Sequence, residues 1–169
     1  MTLHEHGWLA IALLGGLGAC VPSGGRAARA AAPQKTDDPR SAMLVDSGST
    51  NTDGFQIVVE RSGQTQYTAI PRGRGGQAAE RPSAVGGKLP AVLAQRLYAD
   101  LEAARPLASL PEPHCLKSAS FGTTLIIEYG GERTPDLSCP AGTNARMQAL
   151  VRDAKEIVEA TNQPRTAGR

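Results

Sequence analysis

Phe55-Gln56-Ile57-Val58-Val59-Glu60-Arg61-Ser62-Gly63-Gln64-Thr65-Gln66-Tyr67-Thr68-Ala69 is the stretch that decides the fold. Phe55, Ile57 and Val59 alternate with Gln56 and Glu60, the period of a strand with one buried face, and Val58 is the one apolar residue on its outer face. A second strand follows Ser62-Gly63, and burial selects its register. If Arg61-Ser62-Gly63 is a three-residue loop with Gly63 left-handed, Ile57 faces Tyr67, and Phe55, Ile57, Val59, Tyr67 and Ala69 share one face. A two-residue turn sets Tyr67 against Val58 on the polar side instead. The three-residue loop is therefore expected.

Toward the C-terminus, Pro71 to Lys88 reads as an irregular stretch, rich in Gly and Arg and without an apolar anchor, and is expected to be disordered. Pro90 suits the first turn of a helix, and Val92, Leu93, Leu97, Leu101 and Ala104 recur at three and four residues until Arg105-Pro106 stops them. After turns through Pro111 and Pro113, Thr123 to Tyr129 predicts a third strand with Leu125, Ile127 and Tyr129 inward. Gly130-Gly131 is a hairpin turn that sets Glu128 opposite Arg133, and Pro135 places the fourth strand at an edge. Met147, Leu150, Val151, Ala154, Ile157 and Val158 form the apolar stripe of a last helix, N-capped by Thr143 or Asn144 and ended by Gln163-Pro164. The order β-β-α-β-β-α predicts a two-layer α+β fold, an antiparallel sheet with two helices on one face. This domain is expected over residues 54–163, followed by a tail at 164–169.

Toward the N-terminus the character changes. Val21 to Asp53 has no aromatic residue and shows neither a helical nor a strand period, so residues 20–53 are expected to be a disordered tether, with the domain boundary at Gly54. Ahead of it, Trp8 to Ala19 is an apolar segment of 12 residues, too short for a spanning helix of about 20. It leads into Leu17-Gly18-Ala19-Cys20, with small residues where a signal peptidase cuts and a thiol at the first mature position. Residues 1–19 thus read as an export signal and Cys20 as a lipid-attachment site, although Met1 to Gly7 carries His4 and His6 where Lys or Arg is usual. Two acyl chains, at roughly 0.8 kcal/mol per buried methylene, hold a protein on a bilayer without a spanning helix.

Three cysteines in an exported chain divide into one lipid site and one pair, which makes Cys115 and Cys139 the expected disulfide. A metal held by His114, Cys115 and Cys139 is the weaker alternative, because no second Cys or His stands at zinc-site spacing. No cofactor or metal is expected. The formal net charge of +2 becomes +3 once Glu5 leaves with the signal, too slight to argue for nucleic acid. Among candidate catalytic groups, His114 is the only histidine after processing. Lys117 and Ser118 are adjacent rather than at the Ser-x-x-Lys spacing, Asp100 and Glu102 point to different helix faces, and Asp136 stands alone. Lys117, Ser118 and Ser120, on a loop whose ends are expected to be anchored by the disulfide and Phe121, are the candidate binding residues.

The Leu-Gly-Ala-Cys tetrapeptide resembles the lipobox of bacterial lipoproteins, and Val21 after the cysteine resembles an outer-membrane destination in a cell with two membranes. The segments Asp46 to Gly54, His114 to Gly122 and Gly131 to Cys139 resemble uncharacterised small exported proteins of bacteria, a resemblance over most of residues 46–160 that implies export and the disulfide but no activity. The expectation is a non-enzymatic lipoprotein of the cell envelope that binds an envelope protein or a cell-wall component. The competing readings are an envelope hydrolase using the 114–120 loop and a periplasmic inhibitor that inserts Pro71 to Lys88 or Lys117 to Gly122 into an enzyme.

Overall fold

Ile57 faces Tyr67 and Phe55 faces Ala69 across the first hairpin, the register of the three-residue loop, and Gly63 takes the left-handed conformation at φ +83°. The computed structural model describes residues 38–71, 84–118 and 120–166, so the expected signal at 1–19, Cys20, the expected tether as far as residue 37, residues 72–83, residue 119 and residues 167–169 lie outside it. The strands are β1 (Ser41–Asp46), β2 (Gly54–Glu60), β3 (Gln64–Ile70), β4 (Ala84–Lys88), β5 (Leu125–Tyr129) and β6 (Glu132–Arg133). The helices are α1 (Ala91–Ala104) and α2 (Ala145–Thr166), with one 3-10 turn at Leu107–Ser109. Among the described residues, the strands make one antiparallel sheet in the order β4-β3-β2-β1-β5-β6.

This is the expected two-layer α+β fold with two strands added. The first addition corrects the tether. Ser41 to Asp46 is no linker but the central strand, pairing with β2 on one side and β5 on the other. Ala42 and Leu44 are fully buried beneath the helices, so the domain begins well before Gly54. The second corrects the irregular stretch, whose last five residues, Ala84 to Lys88, pair with β3 as an edge strand.

Both helices cover one face. Ala42, Leu44, Ile57, Val59, Leu125, Ile127 and Tyr129 from the sheet form one core with Leu93, Leu97 and Leu101 of α1 and Met147, Leu150, Ala154 and Ile157 of α2. Each fully buried Leu or Ile contributes roughly 1.5–3 kcal/mol, which is why these stripes and not helix propensity hold the layers together. Val92 departs from the expected stripe and stands 70% exposed, its place against the core taken by Ala94 and Tyr98. Asn144 rather than Thr143 caps α2, its side-chain oxygen accepting the Met147 N–H at 3.0 Å. α2 also continues past Gln163-Pro164 to Thr166, two residues beyond the point where a tail was expected to begin.

Two polar clasps add to the packing, one joining the two helices and one joining α1 to the sheet. Asp153 is fully buried within the apolar stripe of α2 and receives Arg96 of α1 at 2.8 Å and Arg152 at 3.1 Å, while Arg152 reaches Asp100 at 2.8 Å. Burial and a hydrogen bond shared with Asp100 hold the Asp153 carboxyl above its ordinary range, against the pull of the two guanidinium groups. At the far end of α1, Arg61 lies 4.4 Å above the Tyr98 ring and donates to Glu102 at 3.1 Å and to the Tyr129 hydroxyl at 2.5 Å. Tyr98 donates to the Val59 carbonyl at 2.7 Å, and burial pushes its phenol up to about 12. Asp100 and Glu102, on different helix faces as expected, thus serve separate clasps.

Candidate functional site: the disulfide-held loop

Pro111 and Pro113 prevent the chain after the 3-10 turn from continuing as a helix, and it runs without regular structure through Cys115 to Ser118, then through a turn at 120–121 into β5. Cys115 is joined to Cys139, with their Cα atoms 5.7 Å apart. The exposed Cys115 and the buried Cys139 pin this arm against the segment that follows β6. Since both sulfurs are consumed in that bond, they leave His114 without thiols to share a metal ion.

Lys117 is the centre of a second fastening. Its ammonium pairs with Asp136 and donates to the Thr123 carbonyl at 2.5 Å and to Ser138 Oγ at 2.8 Å. An ammonium has three protons, and these three partners use them. Asp136 is equally engaged. Its Oδ1 accepts the backbone N–H groups of Leu125 at 3.1 Å and Ser138 at 2.9 Å, and Ser138 Oγ lies 2.7 Å away. Burial pushes the Asp136 carboxyl up, but Lys117, the Ser138 hydroxyl and the two amides outweigh it and carry the group below the ordinary carboxylate range. Asp136, which stands alone in the sequence, is therefore a hub, and its signal was the Asp-x-Ser spacing that lets a carboxylate cap the amide two residues on.

The loop tip is fastened to the β1–β2 connection. The Ser120 carbonyl accepts the Asn51 N–H at 3.0 Å and Ser49 Oγ at 2.8 Å, while Thr124 N–H donates to Ser47 Oγ at 2.9 Å. Inside the tip, Gly122 N–H donates to the Ser118 carbonyl at 2.7 Å, and Ser118 Oγ accepts the Ser120 N–H at 3.3 Å. A β carbon at Gly122 would lie 2.6 Å from the Ser118 carbonyl oxygen, so only glycine fits this close approach.

The candidate binding residues thus sit together, but not as the sequence suggested. Lys117 is a strut and not a presented cation, and Ser118 serves the turn itself. Phe121 does not anchor the loop: it stands 68% exposed, because the polar fastenings and the disulfide hold the ends without it. Leu116 is 105% exposed. Leu116, which sequence reasoning passed over, and Phe121, which it took for an anchor, are the large apolar groups that the described part of the loop presents. Leu116 borders a shallow depression of about 480 Å³ lined by Pro113, His114, Lys117, Thr124 and Asp136 together with the disulfide.

Replacing Asp136 with Ala is expected to destabilise the domain by about 2–3 kcal/mol, since it frees two amides and leaves Lys117 without its counter-charge. The wild-type contribution should be present above pH ~4 and fade as pH falls through the lowered folded value, because the unfolded carboxyl protonates first. Urea titrations from pH 7 to pH 3 check both points. An Asp136→Ala midpoint equal to that of the wild type at pH 7 would show that Asp136 is no hub.

No protein-family model matches this chain, and no curated protein matches it.

Proposed function

We propose that the protein is a non-enzymatic lipoprotein of the bacterial cell envelope, anchored by acylated Cys20, whose domain captures an envelope protein through the disulfide-held loop. The observation that carries the binding reading is the exposure of Leu116 and Phe121 on a segment fastened at both ends. Apolar groups on a backbone held in place lose little conformational entropy on binding, and aromatic residues such as Phe are enriched in protein interfaces. The aliphatic Leu116, which offers a sugar neither a ring face nor a polar atom, favours a protein partner over a cell-wall glycan. The tied Lys117 and the turn-bound Ser118 favour binding over hydrolysis, since neither is left as a base for a Ser120 nucleophile. The Leu17-Gly18-Ala19-Cys20 motif supports the lipid anchor and, with Val21, an outer-membrane position facing the periplasm in a two-membrane cell. Among the described residues no helix is long and apolar enough to cross a membrane.

A photoactivatable amino acid placed at 116 or 121 in living cells is expected to give a discrete protein adduct, while the same group at Val92, exposed on α1, gives none. Mass spectrometry of the isolated protein is expected to find a diacylglycerol-modified Cys20. Equal labelling from all three positions would discard the loop as the contact surface, and an unmodified residue 20 would discard the anchor. The identity of the adduct separates a structural partner from an enzyme held by an inhibitor.

A further inference from the structure

Ala84-Val85-Gly86-Gly87-Lys88 is a poor strand by composition, with two adjacent glycines and one charge at its end. Yet it forms β4, among the described residues the outermost strand beyond β3, and all five residues are exposed. Glycine within a strand often marks a place where another backbone comes close. The phase of the β3–β4 ladder shows which backbone groups remain for such a neighbour. Leu89 N–H donates to the Gly63 carbonyl at 2.9 Å, so the alternation of an antiparallel pair makes Gly87–Thr65 and Val85–Tyr67 the hydrogen-bonded pairs. The N–H and C=O groups of Ala84, Gly86 and Lys88 then point away from the sheet. On the helix-covered side, a gap of about 180 Å³ opens beside Gly87, bounded by Thr65, Tyr67, Ala160 and Thr161, with Val85 at its rim.

We infer that this edge is the contact of a symmetric dimer, in which β4 strands of two copies pair antiparallel about Gly86 and join the two sheets edge to edge. Centring the pair on Gly86 sets Gly86 against its own copy and Ala84 against Lys88, and those are the residues whose backbone groups face outward. It also sets Val85 of each copy directly opposite Gly87 of the other. That is a non-hydrogen-bonded position, where facing side chains come closest. Val85, 49% exposed in the single chain, is thereby placed at the gap beside Gly87. One short sequence supplies both the projection and the recess, as a twofold interface requires. The two Lys88 residues fall at opposite ends of the paired strands, about 14 Å apart, beyond the range at which like charges repel appreciably at physiological salt. A five-residue pair is smaller than a standard interface of about 1,200–2,000 Å², so the dimer is weak and depends on concentration.

Sedimentation velocity of the full chain, in detergent to keep its N-terminal apolar run from associating, tests this. The wild type is expected to move from one-chain to two-chain mass as concentration rises through the micromolar range. Gly86→Pro removes an N–H that faces outward, and a β carbon there has the Thr65 carbonyl oxygen as its nearest neighbour at 3.9 Å, so the single chain accommodates it. Val85→Asp instead brings a carboxylate to each recess. Each variant is expected to weaken the dimer about tenfold or more while melting as a folded domain. A wild type that stays at one-chain mass throughout, or a dimer that both folded variants retain, overturns the inference.

Discussion

A chain cut to begin at Gly54 is expected to lose cooperative folding, whereas a chain that begins at Asp38 keeps it. The reason is the position of β1. It pairs with β2 at six positions and with β5 at five, so removing it separates the β4-β3-β2 half of the sheet from the β5-β6 half. Two strand edges that were paired would face water, and the fully buried Ala42 and Leu44 would leave a hole beneath both helices. Even the mildest form of this damage is large: Leu44→Ala should cost about 2.7–5 kcal/mol, against a total stability of roughly 5–15 kcal/mol for a domain of this kind. Deleting the strand adds the loss of its ladder on both sides. Circular dichroism during heating distinguishes the outcomes. A sigmoidal transition in the Gly54 chain, at the midpoint of the Asp38 chain, would show that β1 is dispensable.

That strand is also the clearest case of what the sequence did not disclose. β2, β3 and β5 were legible because each has one buried and one polar face, which writes an alternation into the chain. A central strand lacks that signature when both its faces are largely removed from water, and Met43 is buried along with Ala42 and Leu44. What remained was Ala42-Met43-Leu44-Val45, the longest apolar run between Val21 and Asp53, which periodicity alone could not separate from the surrounding small residues. β4 was hidden for a different reason, since Gly86-Gly87 carries no side chains to show a period. The helices were the easier elements. Their stripes gave most of the core positions, failing at Val92, at Ala94 and Tyr98, and at the buried Asp153, whose partner Arg96 lies 57 residues away in the chain.

The loop was legible in its fastening and not in its surface. Compartment and parity predicted the Cys115–Cys139 pair, which the structure contains. Which side chains point outward is decided by long-range bonds, from Lys117 to Asp136 and from Ser120 to Ser49 and Asn51. No local pattern encodes those. A cation and two hydroxyls therefore looked available while Leu116 and Phe121, which a sequence reader assigns to a core, are the groups in water.

Reduction of the disulfide is expected to lower stability by roughly 3–4 kcal/mol and the thermal midpoint by on the order of 10 °C. The bond closes a sequence separation of 24 residues that contains the whole β5–β6 hairpin. In the folded protein the same two arms are already held by Lys117, Asp136 and Ser138, so cutting the bond changes the native geometry little. The effect arises in the unfolded chain, which regains the freedom of an open loop. That division makes a second, sharper expectation. In the oxidised unfolded chain the bond also keeps Lys117 close to Asp136, so part of their attraction survives unfolding, and Lys117→Ala should cost more in reduced protein than in oxidised protein, by about 0.5 kcal/mol. Denaturant titrations of the wild type and Lys117→Ala, each with and without a phosphine reductant, give the four values needed. Equal wild-type midpoints with and without reductant would show that the disulfide contributes nothing to stability. Equal costs of Lys117→Ala in the two states would show that the bond does not hold the ionic pair together in the unfolded chain.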